Sequence, residues 1–262
     1  MVSKDTSDET NFSQTVLKAL DVLECIALAE QPLSAAEVAK LCDISRPTAY
    51  RLICTLAARG YVAQADATHY RLGIQALSLS QNVLDSLELP ELAQPYLRQL
   101  SDSCNETTYL SMLDDDTIVY VGKAESSQSL RTDTKIGSRN MLHCSSMGKA
   151  ILAFLPESDR TGLLERLDLI AKTGNTITDR ARLREHLSAV RGQKFATDDE
   201  ESEDGIRCVG APIFDRTGQV FAAISLSGPA YRLSLPRLVE LSNLVVETAN
   251  TISNRLGHVA QD

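Results

Sequence analysis

The sequence predicts an α+β protein with an N-terminal winged helix-turn-helix, a linker helix, and a C-terminal antiparallel sheet with helices packed on it. Three observations predict it. Two short helices joined by a tight turn and followed by a hairpin pattern occupy residues 33–72. From Thr107 onward the apolar period switches repeatedly between helical spacing and alternation, with hairpin turns among the helices. A length of 262 residues with 43% apolar content is long for one ordinary domain and comfortable for two, one of them small. The expected boundaries are 13–73 for the first domain, 74–88 for the linker helix and 89–258 for the second domain.

Residues 1–12 read as a disordered start. A first helix begins at Ser13 or Thr15, because Val16, Leu20, Leu23 and Ala27 recur at helical spacing, with Ala19 and Ile26 widening the stripe. In the second helix Ser34 caps the start and Glu37 completes a capping box, while Val38, Leu41 and Ala35 share the apolar face. Cys42-Asp43-Ile44 is a tight connection, and Ser45 caps a third helix. Its Pro47 sits in the first turn, where a missing N–H costs nothing. Leu52, Ile53 and Leu56 face inward, and Gly60 suits the helix end. Tyr61-Val62-Ala63 and Tyr70-Arg71-Leu72, separated by Gln64 to His69, form a hairpin wing.

The leading end of the third helix carries Arg46, Thr48, Tyr50 and Arg51, and this is the end that a helix-turn-helix inserts into the major groove. Arginine donates two parallel hydrogen bonds to guanine, and threonine meets a thymine methyl or a base edge. The candidate contacts to double-stranded DNA are Ser34, Ser45, Arg46, Thr48, Tyr50, Arg51 and Arg71. Between Arg46 and Arg71 the basic residues Arg46, Arg51, Arg59 and Arg71 meet the single acid Asp66, whereas the whole chain carries a formal charge of -9. The positive field is local, so affinity must rest on this strip and on bringing more than one copy to the duplex.

The linker pattern, Ile74 to Leu87, sets Ile74, Leu77 and Leu84 on one side; that stripe packs on its own chain or pairs with the same helix of a second subunit. A helix from Pro90 to Cys104 follows, then a hairpin of Thr107–Met112 and Thr117–Gly122 around Asp114-Asp115-Asp116. Helical patterns cover 147–155, 157–167 and 179–192, strand patterns cover 195–198, 207–214 and 220–227, and a long helix over 235–256 closes the chain. Strands separated by helices, yet containing hairpins, imply a mixed antiparallel sheet with packed helices.

Three stretches of this domain carry chemistry. In Leu142-His143-Cys144-Ser145-Ser146-Met147-Gly148-Lys149-Ala150 a strand end meets a helix start through small hydroxyl residues, and the free N–H groups of such a start favour an anion. The acidic run Thr197 to Gly205, with Asp198 in it, leads into Ile206-Arg207-Cys208-Val209-Gly210-Ala211-Pro212. In Ala223-Ile224-Ser225-Leu226-Ser227-Gly228-Pro229 two serines alternate onto one strand face. Either a small polar ligand supplies their partners, or the serines bond to neighbouring backbone and the acids form a solvated loop. Arg131 is similarly open: it is a bidentate carboxylate partner or a surface arginine paired to nearby acids.

Other classes fit less well. His143, Cys144, Cys208 and Asp198 could be recruited as a nucleophile set, or the His and Cys as metal ligands, which gives enzyme and metal- or thiol-sensor alternatives. Neither cysteine has a local nucleophile signature, and no second spaced ligand pair exists. The six cysteines, at 25, 42, 54, 104, 144 and 208, form no C-x-x-C pair and read mostly as small core residues rather than a zinc ribbon or disulfide framework. No catalytic residue, metal or cofactor is expected. The N-terminus is polar and acidic where a signal peptide would be basic then apolar, and no apolar run approaches membrane length, so a cytoplasmic protein is expected.

From about Val16 to Leu256 the chain resembles the IclR-type (isocitrate lyase regulator) family of bacterial transcription regulators. The resemblance rests on the helix-turn-helix and wing, the His143 to Ala150 stretch, the run from Asp198 through Ile213, and Ala223 to Pro229. It implies a C-terminal domain that is GAF-like and binds a small organic acid or aromatic metabolite, in homodimers and commonly dimers of dimers, with repression the commoner outcome. Carried over by motif position, the effector pocket includes Ser146, Met147, Asp198, Ile206, Cys208, Ser225 and Ser227, with Thr132 and Asn140 as further members.

Overall fold

The computed structural model describes residues 12–79 and 88–258. The chain divides into two units between residues 86 and 87. In the first, α1 spans Gln14–Leu28, a two-residue strand β1 (Leu33–Ser34) runs into α2 (Ala35–Leu41), and α3 spans Arg46–Ala58. The expected caps are made: the Ser34 hydroxyl accepts from the Glu37 N–H at 3.3 Å while the Glu37 carboxylate takes the Ser34 N–H at 2.8 Å. Ser45 caps α3 through the Thr48 N–H. β2 (Val62–Gln64) and β3 (His69–Leu72) form the hairpin, and β1 joins its other side to give a three-stranded sheet in the order β1-β3-β2. Gly73 ties the hairpin back to the end of α3, since a Cβ there would lie 2.1 Å from the Gly60 carbonyl oxygen.

The core of this unit is built from Val22 and Ile26 of α1, Ala35, Val38 and Ala39 of α2, and Ala49, Leu52 and Ile53 of α3. This corrects two expected faces. Val16, Leu20 and Ala27 are exposed, and α1 turns inward the line Ala19, Val22, Leu23 and Ile26, roughly a quarter turn away. An apolar-rich helix offers two overlapping stripes of the same period, and only packing against α3 selects one. Leu41 is likewise 66% exposed, its expected place taken by Ala39. Of the expected linker helix, residues 75–79 are helical, with Ile74 and Leu77 exposed; Leu84 and the rest of 80–87 lie outside the described residues.

The second unit opens with α4 (Glu88–Cys104), two residues earlier than Pro90. Its sheet contains β4 (Thr107–Asp114), β5 (Thr117–Ala124), β6 (Arg139–Met141), β7 (Ala196–Asp199), β8 (Ile206–Phe214) and β9 (Val220–Pro229), in the order β6-β5-β4-β9-β8-β7. Every pairing is antiparallel. α4 and the C-terminal α8 (Leu235–Arg255) cover one face, with Leu97, Leu100, Leu238 and Val245 against Leu110, Val209 and Ile224. On the other face lie α5 (Ser146–Phe154), α6 (Glu157–Arg166) and α7 (Arg180–Gln193), with Leu142, Ile151, Leu152, Leu183 and Val190 in the core. The strand end expected ahead of α5 is β6, which stops at Met141, so that Leu142 to Ser145 form the turn into the helix; its start at Arg139 had no periodic signal. The cysteines also differ from expectation, since only Cys144 is fully buried and Cys54 is exposed.

Candidate functional site

The first unit presents its polar groups outward. Ser45, Arg46, Tyr50, Arg51 and Arg71 are exposed, and Thr48 and Ser34 are half-buried. The Ser34 hydroxyl is committed to its capping box, donating to Glu37 at 2.7 Å, and the Ser45 and Thr48 hydroxyls lie 2.8 Å apart at the start of α3. Among the described residues none of Arg46, Arg51, Arg59 and Arg71 is held in an ion pair. The one acid near them, Asp66, is turned on its own hairpin: it accepts the Thr68 and His69 N–H groups at 2.8 and 3.0 Å and meets the His69 ring at 2.9 Å. Those contacts, the Thr68 N–H first, hold its carboxyl down at about 2. The four arginines are therefore left without an acidic partner among the described residues.

In the second unit, strand register brings distant residues side by side on one sheet face. Asp198 stands opposite Cys208, and Cys208 opposite Ser227; one row on, Gly210 stands opposite Ser225, and Ser225 opposite Tyr109. The start of α5 sits directly on this grid because Gly210 has no side chain: a Cβ there would lie 3.1 Å from the Met147 nitrogen. Gly148 permits the turn into α5, where a Cβ would lie 2.5 Å from the Leu142 Cα. The Ser145 side chain and carbonyl take the Gly148 and Lys149 N–H groups at 3.1 and 2.9 Å, leaving those of Ser146 and Met147 outside the helix's own bonds.

Over the grid lies a cavity of about 290 Å³, lined by Arg131, Thr132, Asn140, Ser146, Met147, Asp198, Ile206, Cys208, Ser225 and Ser227, all ten of the residues expected for a ligand. Tyr109, Tyr120, Asp133, Thr134, Ser145, Ser202 and Glu203 complete the lining and were missed. The two tyrosine rings meet edge to face at 5.4 Å. Tyr109 donates to the Thr132 hydroxyl at 3.1 Å and accepts the Thr134 N–H, so it fastens the 132–134 segment over the cavity. Asn140 donates to Tyr120 and Ser202, and the Cys208 thiol donates to Ser227 at 3.1 Å. Ser146 and Ser225 are each 2% exposed, and neither hydroxyl has a protein partner among the described residues. Arg131 lines the cavity, but its guanidinium pairs with the nearby acid Glu125 at 3.1 Å, the surface ion pair that was one of its two expected readings.

Beneath the cavity the acidic run divides by burial. Lys149 is fully buried and ion-paired with Glu201. A lysine in the otherwise apolar turn Met147-Gly148-Lys149-Ala150-Ile151 was the available signal for this pair. Burial raises the Glu201 carboxyl, against the pull of Lys149, and leaves its Oε2 without a hydrogen bond. Asp198 is pushed up to about 7 by burial, opposed by Lys149 and by the Glu201 and Ser202 N–H groups it accepts at 2.8 and 3.3 Å. His143 lies in the turn before α5, with Nε2 3.0 Å from the Ile170 carbonyl oxygen. Burial raises the Cys144 thiol to about 11 and the Cys208 thiol well above its usual value. High thiol pKa values oppose thiolate formation, and no hydrogen bond joins His143 to either cysteine. Among the described residues no group of three His, Cys, Asp or Glu side chains could hold a metal, and no helix is long and apolar enough to cross a membrane.

Comparisons with known proteins agree with this two-unit architecture. A family model described as the IclR helix-turn-helix domain matches residues 15–66, and one described as bacterial transcriptional regulator IclR C-terminal matches 81–254. The chain is 33% identical over 259 residues to the HTH-type transcriptional regulator KdgR of Escherichia coli, covering 98% of each chain. It is 32% identical over 255 residues to the transcriptional repressor IclR of Escherichia coli, covering 96% of this chain and 93% of that one. The crystal structure of an IclR homolog from Microbacterium hydrocarbonoxydans complexed with 4-hydroxybenzoate superposes with a TM-score of 0.79 at 21% identity, covering 92% of this chain and 98% of that one. At that identity the likeness concerns the fold.

Proposed function

The chain belongs to the IclR family of bacterial transcriptional regulators, and from that premise we propose that it represses a promoter under the control of a small organic acid or aromatic metabolite. The winged helix-turn-helix, residues 13–73, meets double-stranded DNA. Arg46, Thr48, Tyr50 and Arg51 read base edges, Arg71 and Ser45 contact the backbone, and Ser34 acts through its cap. The effector sits in the cavity of residues 89–258. Its carboxylate lies at the Ser146 and Met147 N–H groups, its polar substituents meet Ser225, Ser227, Asn140 and Asp198, and its flat body lies against Tyr109 and Tyr120. The protein acts as a homodimer or dimer of dimers and carries out no reaction; residues 74–88 pass the effector's population shift to paired DNA-binding domains.

The observation that carries this reading is the pair of serines, Ser146 and Ser225, each 2% exposed, which line the polar cavity without a protein hydrogen bond to either hydroxyl among the described residues. Hydroxyls that open only into a cavity and bond to no protein group are placed to meet whatever fills it. In an operator-release titration with a library of metabolic acids, Ser146→Ala combined with Ser225→Ala should require about thirtyfold more effector, each lost hydrogen bond contributing about 1 kcal/mol. Operator affinity without effector should stay unchanged. An unaltered effector response in the double variant would discard the cavity as the effector site.

A further inference from the structure

A second and larger cleft, about 530 Å³, opens elsewhere in the same unit and shares no lining residue with the effector cavity. It forms where the sheet loses its edge strand. β7 pairs with β8 only over Arg207–Gly210, so Ala211–Phe214 have no strand partner on that side; they are covered instead by side chains, the Phe214 N–H donates to Ser253 at 3.0 Å, and Pro212 has no N–H to satisfy. Phe154, Phe214, Pro212, Val246 and Ala249 supply an apolar floor. The Phe154 and Phe214 rings meet edge to face at 5.4 Å, and the His258 ring stacks on Phe214 at 5.2 Å.

The rim has the opposite character. Lys194, Arg216 and His258 line the cleft, with Asn250 and Thr217 beside them, and no acid lines it. None of the three basic groups is in an ion pair among the described residues. Asp215, adjacent to Arg216 in sequence, is occupied within its own turn, accepting the Thr217 and Gln219 N–H groups at 2.8 and 3.0 Å. In a chain of formal charge -9 an acid-free cleft with a basic rim is a local inversion of the prevailing field.

We propose that this cleft is a second small-molecule site, taking an organic carboxylate with a flat apolar body, its carboxylate held by Arg216 and Lys194 and its body laid against Phe214 and His258. An apolar floor beneath a few convergent polar groups is the usual build of such a site. Arginine supplies a planar fork for the carboxylate, and the aromatic rings supply flat contact area at low entropic cost.

The test uses benzoate and the full chain, followed by the ring resonances of His258. Saturable benzoate-dependent shifts are expected, and Lys194→Glu with Arg216→Glu should weaken binding at least tenfold. If that pair fails to fold, Lys194→Gln with Arg216→Gln should weaken it at least fivefold. Ser146→Ala with Ser225→Ala should leave the His258 shifts unaltered, which separates this site from the effector cavity. Inorganic phosphate, which carries charge without a flat body, should bind at least fivefold more weakly than benzoate. The proposal is overturned by absent His258 shifts at millimolar benzoate, by undiminished binding in the folded charge variants, by loss of the shifts in the serine variant, or by equal binding of phosphate.

Discussion

On α3 the candidate arginines Arg46 and Arg51 are exposed and outside any ion pair among the described residues, with Arg71 equally free on the wing that follows. Around the cavity of the second unit the candidate side chains are mostly buried or half-buried, with Arg131, Asp133 and Glu203 exposed at its rim, and they are drawn from β4, β5, β6, β7, β8, β9, the start of α5 and the segments 131–134 and 202–203. The difference follows from what each must meet. A polyanion is met by mobile cations left in water, where desolvation costs little and salt screens the attraction. A small molecule must be stripped of water, so its partners are fixed in place and every unsatisfied group beneath it weighs on stability.

The contrast is sharpest at the ions. Lys149 and Glu201 are paired out of water, while Arg51 faces solvent. Lys149→Met should therefore destabilise the second unit by about 3–5 kcal/mol, because it leaves Glu201 buried without its partner. The double variant Lys149→Met with Glu201→Leu should recover most of that loss, as thermal unfolding would reveal. A melting curve for Lys149→Met equal to that of the unmodified protein would erase the distinction. Arg51→Ala should leave the melting curve alone and lower operator affinity by about ten- to a hundredfold at fixed salt, with relaxed preference at one base pair. Thr48→Ala should do the same more weakly. Arg71→Ala, by contrast, should weaken all duplexes alike and reduce the salt slope by about 1, the mark of a phosphate contact. Sequence-selective losses from Arg71→Ala would reverse its assignment relative to Arg51.

The smallest effect concerns pH. Burial holds Asp198 near 7, against Lys149 and two backbone N–H groups, with Glu201 also close by. A raised carboxyl pKa means that Asp198 is neutral below about 7 and charged above it. Affinity for a carboxylate effector should consequently fall a few-fold between about pH 6 and pH 8, as the charge appears beside the ligand. Asp198→Asn should flatten that profile. A profile of the opposite slope, measured by calorimetry, would show the effector carboxylate to lie away from Asp198.

The two regions were also unequally legible. Ser34 and Glu37 declare α2, Ser45 and Pro47 declare the start of α3, and Arg46, Thr48 and Arg51 lie within six residues of one another, so local rules suffice. All ten expected residues line the cavity; the chemistry of the guanidinium suggested Arg131 and strand alternation picked out Ser225 and Ser227, but it was the motif resemblance that gathered nine of them into one pocket, since no periodicity links Asn140 to Ser225. Tyr109, Tyr120 and Ser202 carried no local signal. They enter because β4 pairs with β5 and β9, and because the segment after β7 returns over the sheet.

By itself, then, the sequence determined the helix caps, the wing, the order of the elements and the local concentration of positive charge, all of which depend on neighbours a few residues apart. Tertiary packing decided which stripe of α1 faces inward, which acids of the 198–204 run are buried, and which strand residues stand opposite one another. Those choices depend on the desolvation and register of groups brought together from far apart in the chain, and the energy that selects among them exists only once the surfaces meet.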